Sequence, residues 1–202
     1  MGLISNGTTI FDNGSMASGF GGNLNFISKT TASASASISF TSGIDSTYKE
    51  YVFYCVNLHP ATDGAKFQMQ WSTNGGSSYG VSTTNTTFQV LIREDGSGQT
   101  FNYRTASDVS NSTSFFELTT QGVDNNADSN QATIIRLFNP SSTTYVKHFI
   151  TTSQFVATSS PNYTCQSFVA GYANTTSAID AIKFQMSSGN IDSGEILLFG
   201  VN

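Results

Sequence analysis

Residues 65–72 read Ala65-Lys-Phe-Gln-Met-Gln-Trp-Ser72, with Phe67, Met69 and Trp71 alternating strictly with Lys66, Gln68 and Gln70. Successive side chains of a strand point to opposite faces, so this stretch predicts a strand with one buried and one wetted face. The phrase Lys66-Phe-Gln-Met69 returns as Lys183-Phe-Gln-Met186, where Ile182, Phe184 and Met186 alternate with Lys183, Gln185 and Ser187. The echo is read as one amphipathic solution used in two strands of equivalent position, one in each of two sheets.

The same signal extends along the chain. Strands are expected at 24–29, 35–41, 49–58, 65–72, 87–93, 99–103, 114–119, 132–139, 143–151, 165–173, 180–187 and 195–201. Residues 51–56 and 134–138 are apolar on both faces and predict central strands. Turn chemistry falls between runs at Asp63-Gly64, Asn74-Gly75-Gly76, Asp95-Gly96, Ser188-Gly189-Asn190 and Ser193-Gly194. No segment reads as a helix, because Ala falls mostly in Ser-alternating stretches such as 31–37 and Glu and Lys are scarce. About a dozen short strands spaced by turns predict an all-β fold, a two-sheet antiparallel β-sandwich of jelly-roll type. The last run ends almost at residue 202, which ties the C-terminus into a sheet.

Residues 1–30 differ. Gly2, Gly7, Gly14, Gly19, Gly21 and Gly22 crowd together around Ile10, Phe11, Phe20 and Phe26. Such a segment cannot form its own core, yet its aromatics need burial. It is read as an N-terminal docking arm, with Ile10, Phe11, Phe20 and Phe26 as the candidates for docking on a neighbouring subunit or partner, ahead of a sandwich domain at 31–202. An irregular lead-in lying on its own sandwich is the alternative.

Composition excludes several classes. Charged residues make up 10% of the chain, against about 25% in ordinary soluble proteins, and 56 Ser and Thr with 26 Asn and Gln take their place. No window approaches 18 consecutive apolar residues, so no membrane insertion is expected. The first ten residues carry no basic region and no apolar run, so no signal peptide is expected. A net charge of −5 with eight scattered Lys and Arg offers no phosphate-binding patch, so nucleic acid is not expected as a partner. Cys55 and Cys165 lack metal-site spacing and sit in apolar runs, as two buried thiols.

The catalytic inventory is thin. His59 and His148 lie in or beside strand patterns, no nucleophile elbow or metal-binding helix motif is present, and the four glutamates are scattered. Residues 124–130 place oxygen side chains at the first, third, fifth and seventh positions of a calcium loop. Ser129 replaces its glycine and Ile135 its clamping glutamate, so a plain loop is expected. No enzyme activity, catalytic residue, metal or cofactor is therefore expected. Aromatics such as Tyr79 and Tyr103, read as loop residues, are the candidates for surface recognition by stacking on sugar rings. Low charge weakens the repulsion that keeps chains apart, which favours assembly.

Several phrases carry a resemblance. They are Ile44-Asp-Ser-Thr-Tyr-Lys-Glu-Tyr51 running into Asn57-Leu-His-Pro-Ala-Thr62, and Leu137-Phe-Asn-Pro-Ser-Ser-Thr-Thr-Tyr-Val-Lys-His-Phe149. Ala170-Gly-Tyr-Ala-Asn-Thr-Thr-Ser-Ala-Ile179 and 183–192 follow, with an opening at Leu3-Ile-Ser-Asn-Gly-Thr-Thr-Ile-Phe-Asp12. The chain resembles small virion-associated proteins of tailed phages of marine bacteria, including cyanobacteria. The resemblance implies a place on the exterior of a phage virion. The work it implies is that of a short tail fibre or adhesin in host attachment; the alternatives are a capsid-decorating protein and a carbohydrate-binding module. The expected partners are further copies of the chain (a homotrimer by analogy), other virion proteins and a host-surface glycan.

Overall fold

A computed structural model describes residues 3–5, 8–12, 15–16, 23–159 and 162–202. Fifteen strands run in chain order: β1 Leu3–Ser5, β2 Thr8–Asp12, β3 Ser15–Met16, β4 Leu24–Thr31, β5 Ile38–Phe40, β6 Glu50–Pro60, β7 Phe67–Ser72, β8 Thr83–Arg93, β9 Gln99–Tyr103, β10 Phe116–Glu117, β11 Gln131–Phe138, β12 Lys147–Ala157, β13 Tyr163–Ala173, β14 Ala181–Met186 and β15 Ile191–Val201. Among the described residues the only helical turn is the 3₁₀ segment Thr105–Ser107. All pairings between strands are antiparallel.

The strands form an eight-stranded sheet, β4-β15-β6-β11-β12-β13-β8-β9, and a four-stranded sheet, β10-β7-β14-β5, with a small separate sheet β1-β2-β3. The expected sandwich is present. Setting aside the hairpins β8–β9 and β12–β13, eight strands remain, and they alternate between layers except that β7 and β10 are neighbours in one layer. Numbered one to eight, they pair as 1-8-3-6 in one layer and 5-4-7-2 in the other, the double Greek key of a jelly roll. The two hairpins are insertions that extend the larger sheet past the end of the smaller one.

The core between the layers is aromatic. Phe53 of β6 meets Phe40 of β5 and Phe184 of β14 edge-on at 5.3 and 5.5 Å, and Phe184 stacks on Phe67 of β7 at 5.6 Å. Trp71 of β7 reaches across to Phe149 of β12 at 5.3 Å. Trp71, Phe53, Phe67 and Phe184 are wholly buried, as the alternation in residues 65–72 and 181–186 requires. β6 and β11 lie inside the sheet with partners on both edges, as their two apolar faces predict. β15 is likewise paired on both edges, so the C-terminal run is held.

The echo is placed differently from expectation. The two Lys-Phe-Gln-Met phrases occupy neighbouring strands of one sheet, with Phe67 opposite Met186 and Met69 opposite Phe184. Antiparallel neighbours in this register share an inner face, so matching alternation packs four apolar side chains together. Gln185 donates to Gln68 on the outer side at 3.4 Å.

Leu24–Thr31, which spans the last residues of the expected arm, pairs along β15 as an edge strand of the large sheet. Ile10 and Phe11 belong to β2, and Phe20 lies outside the described residues.

Candidate interaction face

The eight-stranded sheet divides into two halves that treat apolar side chains in opposite ways. In β6, Tyr51, Phe53 and Cys55 point to the core under the smaller sheet. In β8 the inward residues are Thr83, Asn85, Thr87 and Gln89, all buried, while Phe88, Val90 and Ile92 point to the exposed side. β12 and β13 follow this second plan in part, burying Thr151, Ser153 and Ser167 and turning Ile150 and Phe168 outward.

The inward polarity has a local cause. The smaller sheet reaches this half at its near end, where Trp71 packs on Phe149 and bonds Thr83, and the stretches flanking β10 close the rest around a small apolar cluster of Val123, Phe155 and Cys165. Buried backbone donors and acceptors need partners, and the strand side chains supply them. Thr120 N donates to Ser167 Oγ at 3.0 Å and Val109 N to Asn85 Oδ1 at 2.6 Å. The Thr120 hydroxyl donates to Gln89 Oε1 and lies 2.6 Å from Ser167 Oγ.

The outward face spans all eight strands. Of twelve large apolar side chains exposed among the described residues, ten lie on it, Ile4 and Tyr145 being the others. One end is aromatic across β13, β8 and β9: Phe168 stacks on Phe88 at 4.6 Å, and Phe101, 70% exposed, sits 5.6 Å from Phe88. The other end joins Phe26, Phe199 and Tyr54, each pair 5.6 Å apart. Between them lie Ile134, Ile150 and Ala170 and two shallow hollows. One, of about 510 Å³, is lined by Phe138, Ile150, Ala170 and Tyr172 among others; the second, of about 610 Å³, includes Leu24, Val52, Tyr54 and Ile134.

The formal charges in the body of the face are internally paired. Lys29 Nζ donates to Glu195 Oε1 at 2.7 Å, and Arg136 Nε to Glu50. The Lys29 ammonium and then the Thr31 hydroxyl hold the Glu195 carboxyl below the usual glutamate range. Glu50 raises the Arg136 pKa further still.

The candidates named from sequence do not converge. Phe26, assigned to an arm, is 59% exposed on this face and edges Phe199. Tyr103 ends β9 opposite Phe88, on the same face, and its hydroxyl donates to Asp108. Tyr79 lies on the far side of the sandwich, its ring 4.2 Å beneath the Lys183 ammonium on the outer side of the smaller sheet. The two tyrosines therefore cannot share a sugar, and Lys183 already occupies one face of the Tyr79 ring. Phe88, Phe101, Phe168, Ile134 and Ile150 were not singled out from sequence. Their alternation is legible, but the inward turn of Thr83–Gln89 has no local signal.

Groups able to do chemistry lie apart or have structural partners. His59 Nε2 faces the carbonyls of Asn125 and Asn126, and its Nδ1 lies 3.5 Å from Asp192. His148 edges Tyr172 on the outer face. Glu117 accepts from Lys66 and Ser107, away from Glu50 and Glu195. Asp124 turns its carboxylate onto its own loop, accepting from Ser129 Oγ and Asn126 Nδ2 at 2.5 and 2.8 Å. That carboxylate thus closes the 124–130 loop through protein donors. Among the described residues no three His, Cys, Asp or Glu side chains gather as a metal site. Cys55 and Cys165 are free and buried, and burial raises both thiol pKa values. Among the described residues no helix is long and apolar enough to cross a membrane.

No family model matches the chain, and no curated protein or solved structure matches it.

Proposed function

We propose that this chain is a structural, non-enzymatic subunit of the exterior of a tailed-phage particle, acting as a short tail fibre or adhesin in host attachment and working as a homo-oligomer. The observation that carries the reading is the sheet-wide apolar outer face, whose chemistry suits burial against other protein. Exposed patches of this extent mark interaction surfaces. The phrases that resemble phage virion proteins fall on the framework. Asp45, ahead of β6, and Tyr51, within it, hydrogen-bond to one another, and Ile179 N donates to the Pro140 carbonyl between two turns. They support a shared scaffold, and a scaffold alone does not specify an activity. In this reading residues 1–22, including Ile10, Phe11 and Phe20, anchor the subunit to a neighbouring virion protein, and sandwich loops meet a host glycan.

Antibody labelling and mass spectrometry of purified particles test it. Labelling at the tail with few copies is expected. Hundreds of copies on the head would replace the fibre with a capsid-decorating protein, and absence from particles would overturn the virion reading.

A further inference from the structure

We infer that the outer face of the eight-stranded sheet is a subunit interface and that its occupant is a second copy of this chain. The inference rests on the reading of the chain as an assembling subunit and adds the surface through which it assembles. In β8, Phe88, Val90 and Ile92 point away from the monomer's own interior, and Leu91 is the one apolar residue that turns inward. Among the described residues nothing of the chain covers that side.

The size is sufficient. Eight strands about 4.8 Å apart, many of them eleven residues long, give a face on the order of 1,000 Å², above the roughly 800 Å² each partner contributes to a standard interface. Charge favours a like partner. The chain carries −5 overall, yet Lys29 with Glu195 and Arg136 with Glu50 leave the body of this face neutral, so two copies meet there without net repulsion. A basic partner would find no excess negative charge there. Two such sheets meet at the usual spacing of about 10 Å between packed sheets, which makes a four-layered pair.

Sedimentation of the full chain from micromolar to submillimolar concentration tests the inference. The expected mass is a multiple of 21.5 kDa. Phe101→Lys and Ile150→Lys should each weaken self-association about tenfold or more, with circular dichroism and melting unchanged. Tyr145→Lys, exposed but off the face, should leave association intact. Should Ile150→Lys misfold, Phe101→Lys decides alone, because its ring is already mostly in solvent. A 21.5 kDa monomer throughout, or unchanged association in the folded face variants, overturns the inference. A monomer that still labels particles removes this interface and leaves the virion reading standing; an oligomer absent from particles does the reverse.

Discussion

The two halves of the large sheet put the same strand geometry to opposite use. Under the four-stranded sheet, β6 buries Tyr51, Phe53 and Cys55 against aromatics of the second layer. Beyond it, β8 buries Thr and Gln side chains and leaves Phe88, Val90 and Ile92 outside. What differs is the cover. A second sheet arrives with its backbone hydrogen bonds satisfied and presents only side chains. A closing loop such as 104–130 arrives with unpaired backbone groups, and its bed must be polar to receive them. An inward face can therefore be polar for structural reasons, and apolar residues on the other side then mark an external contact.

The contrast is best broken by truncations in each half. Phe53→Ala, in the jelly-roll half, should cost about 3–5 kcal/mol in denaturant unfolding, the range for deleting a buried aromatic. Val90→Ala, on the outer side of β8, should stay within about 0.5 kcal/mol in the dissociated subunit. Comparable losses would mean that the outer face is part of the monomer's core.

Next in size is the polar bed. Gln89→Leu alone leaves the Thr120 hydroxyl short of a partner in a buried site and should cost about 1–3 kcal/mol. Adding Thr120→Val should recover part of that loss, since removing both partners is cheaper than orphaning one. Strictly additive effects would show that the two groups are not coupled.

Alkaline pH separates the halves more gently. Burial raises the Cys55 pKa, with nothing opposing it. For Cys165, hydrogen bonds from Thr120 and Ser167 partly offset the same effect. An unfolded thiol ionises near pH 8.5 while the folded one stays protonated, so stability is full below that pH and falls above it. The slope is about 1.4 kcal/mol per pH unit per thiol until the folded pKa is reached. Cys55→Ala should therefore flatten the alkaline limb over a wider pH range than Cys165→Ala. Lys147 works the other way. Its buried ammonium, held by the Thr175 carbonyl at 3.0 Å, has a lowered pKa. Its stabilising term is complete above the unfolded lysine pKa and is lost as pH falls through the folded one. Comparing the thiol variants in a Lys147→Met background removes that opposing slope. The smallest effect is expected at the exposed Lys29–Glu195 pair, where Lys29→Gln should leave the melting midpoint unchanged at physiological salt.

Much of the fold was legible because period-two patterning reports a pleated strand directly. The alternation in residues 65–72 and 181–186 named a buried face, and the doubly apolar 51–56 and 134–138 named interior strands. The strand start at Thr83 was missed, because Thr83-Thr-Asn-Thr86 has no apolar alternation and reads as loop. Near the N-terminus the glycine cluster ends at Gly22, and the strand expected at 24–29 is present as Leu24–Thr31. The candidate site was hardly legible at all. Tyr79 and Tyr103 look equivalent in sequence, yet they sit on opposite outer faces of the sandwich.

By itself, the amino-acid sequence determined that the chain is all-β and which residues alternate, because side-chain direction in a strand depends only on neighbouring positions. Tertiary structure alone decided which side of each strand is inside and which strands are neighbours. It also decided that, among the described residues, the apolar sides of eight strands join into one exposed surface. Those outcomes depend on what covers each face, and the cover comes from segments distant in the chain.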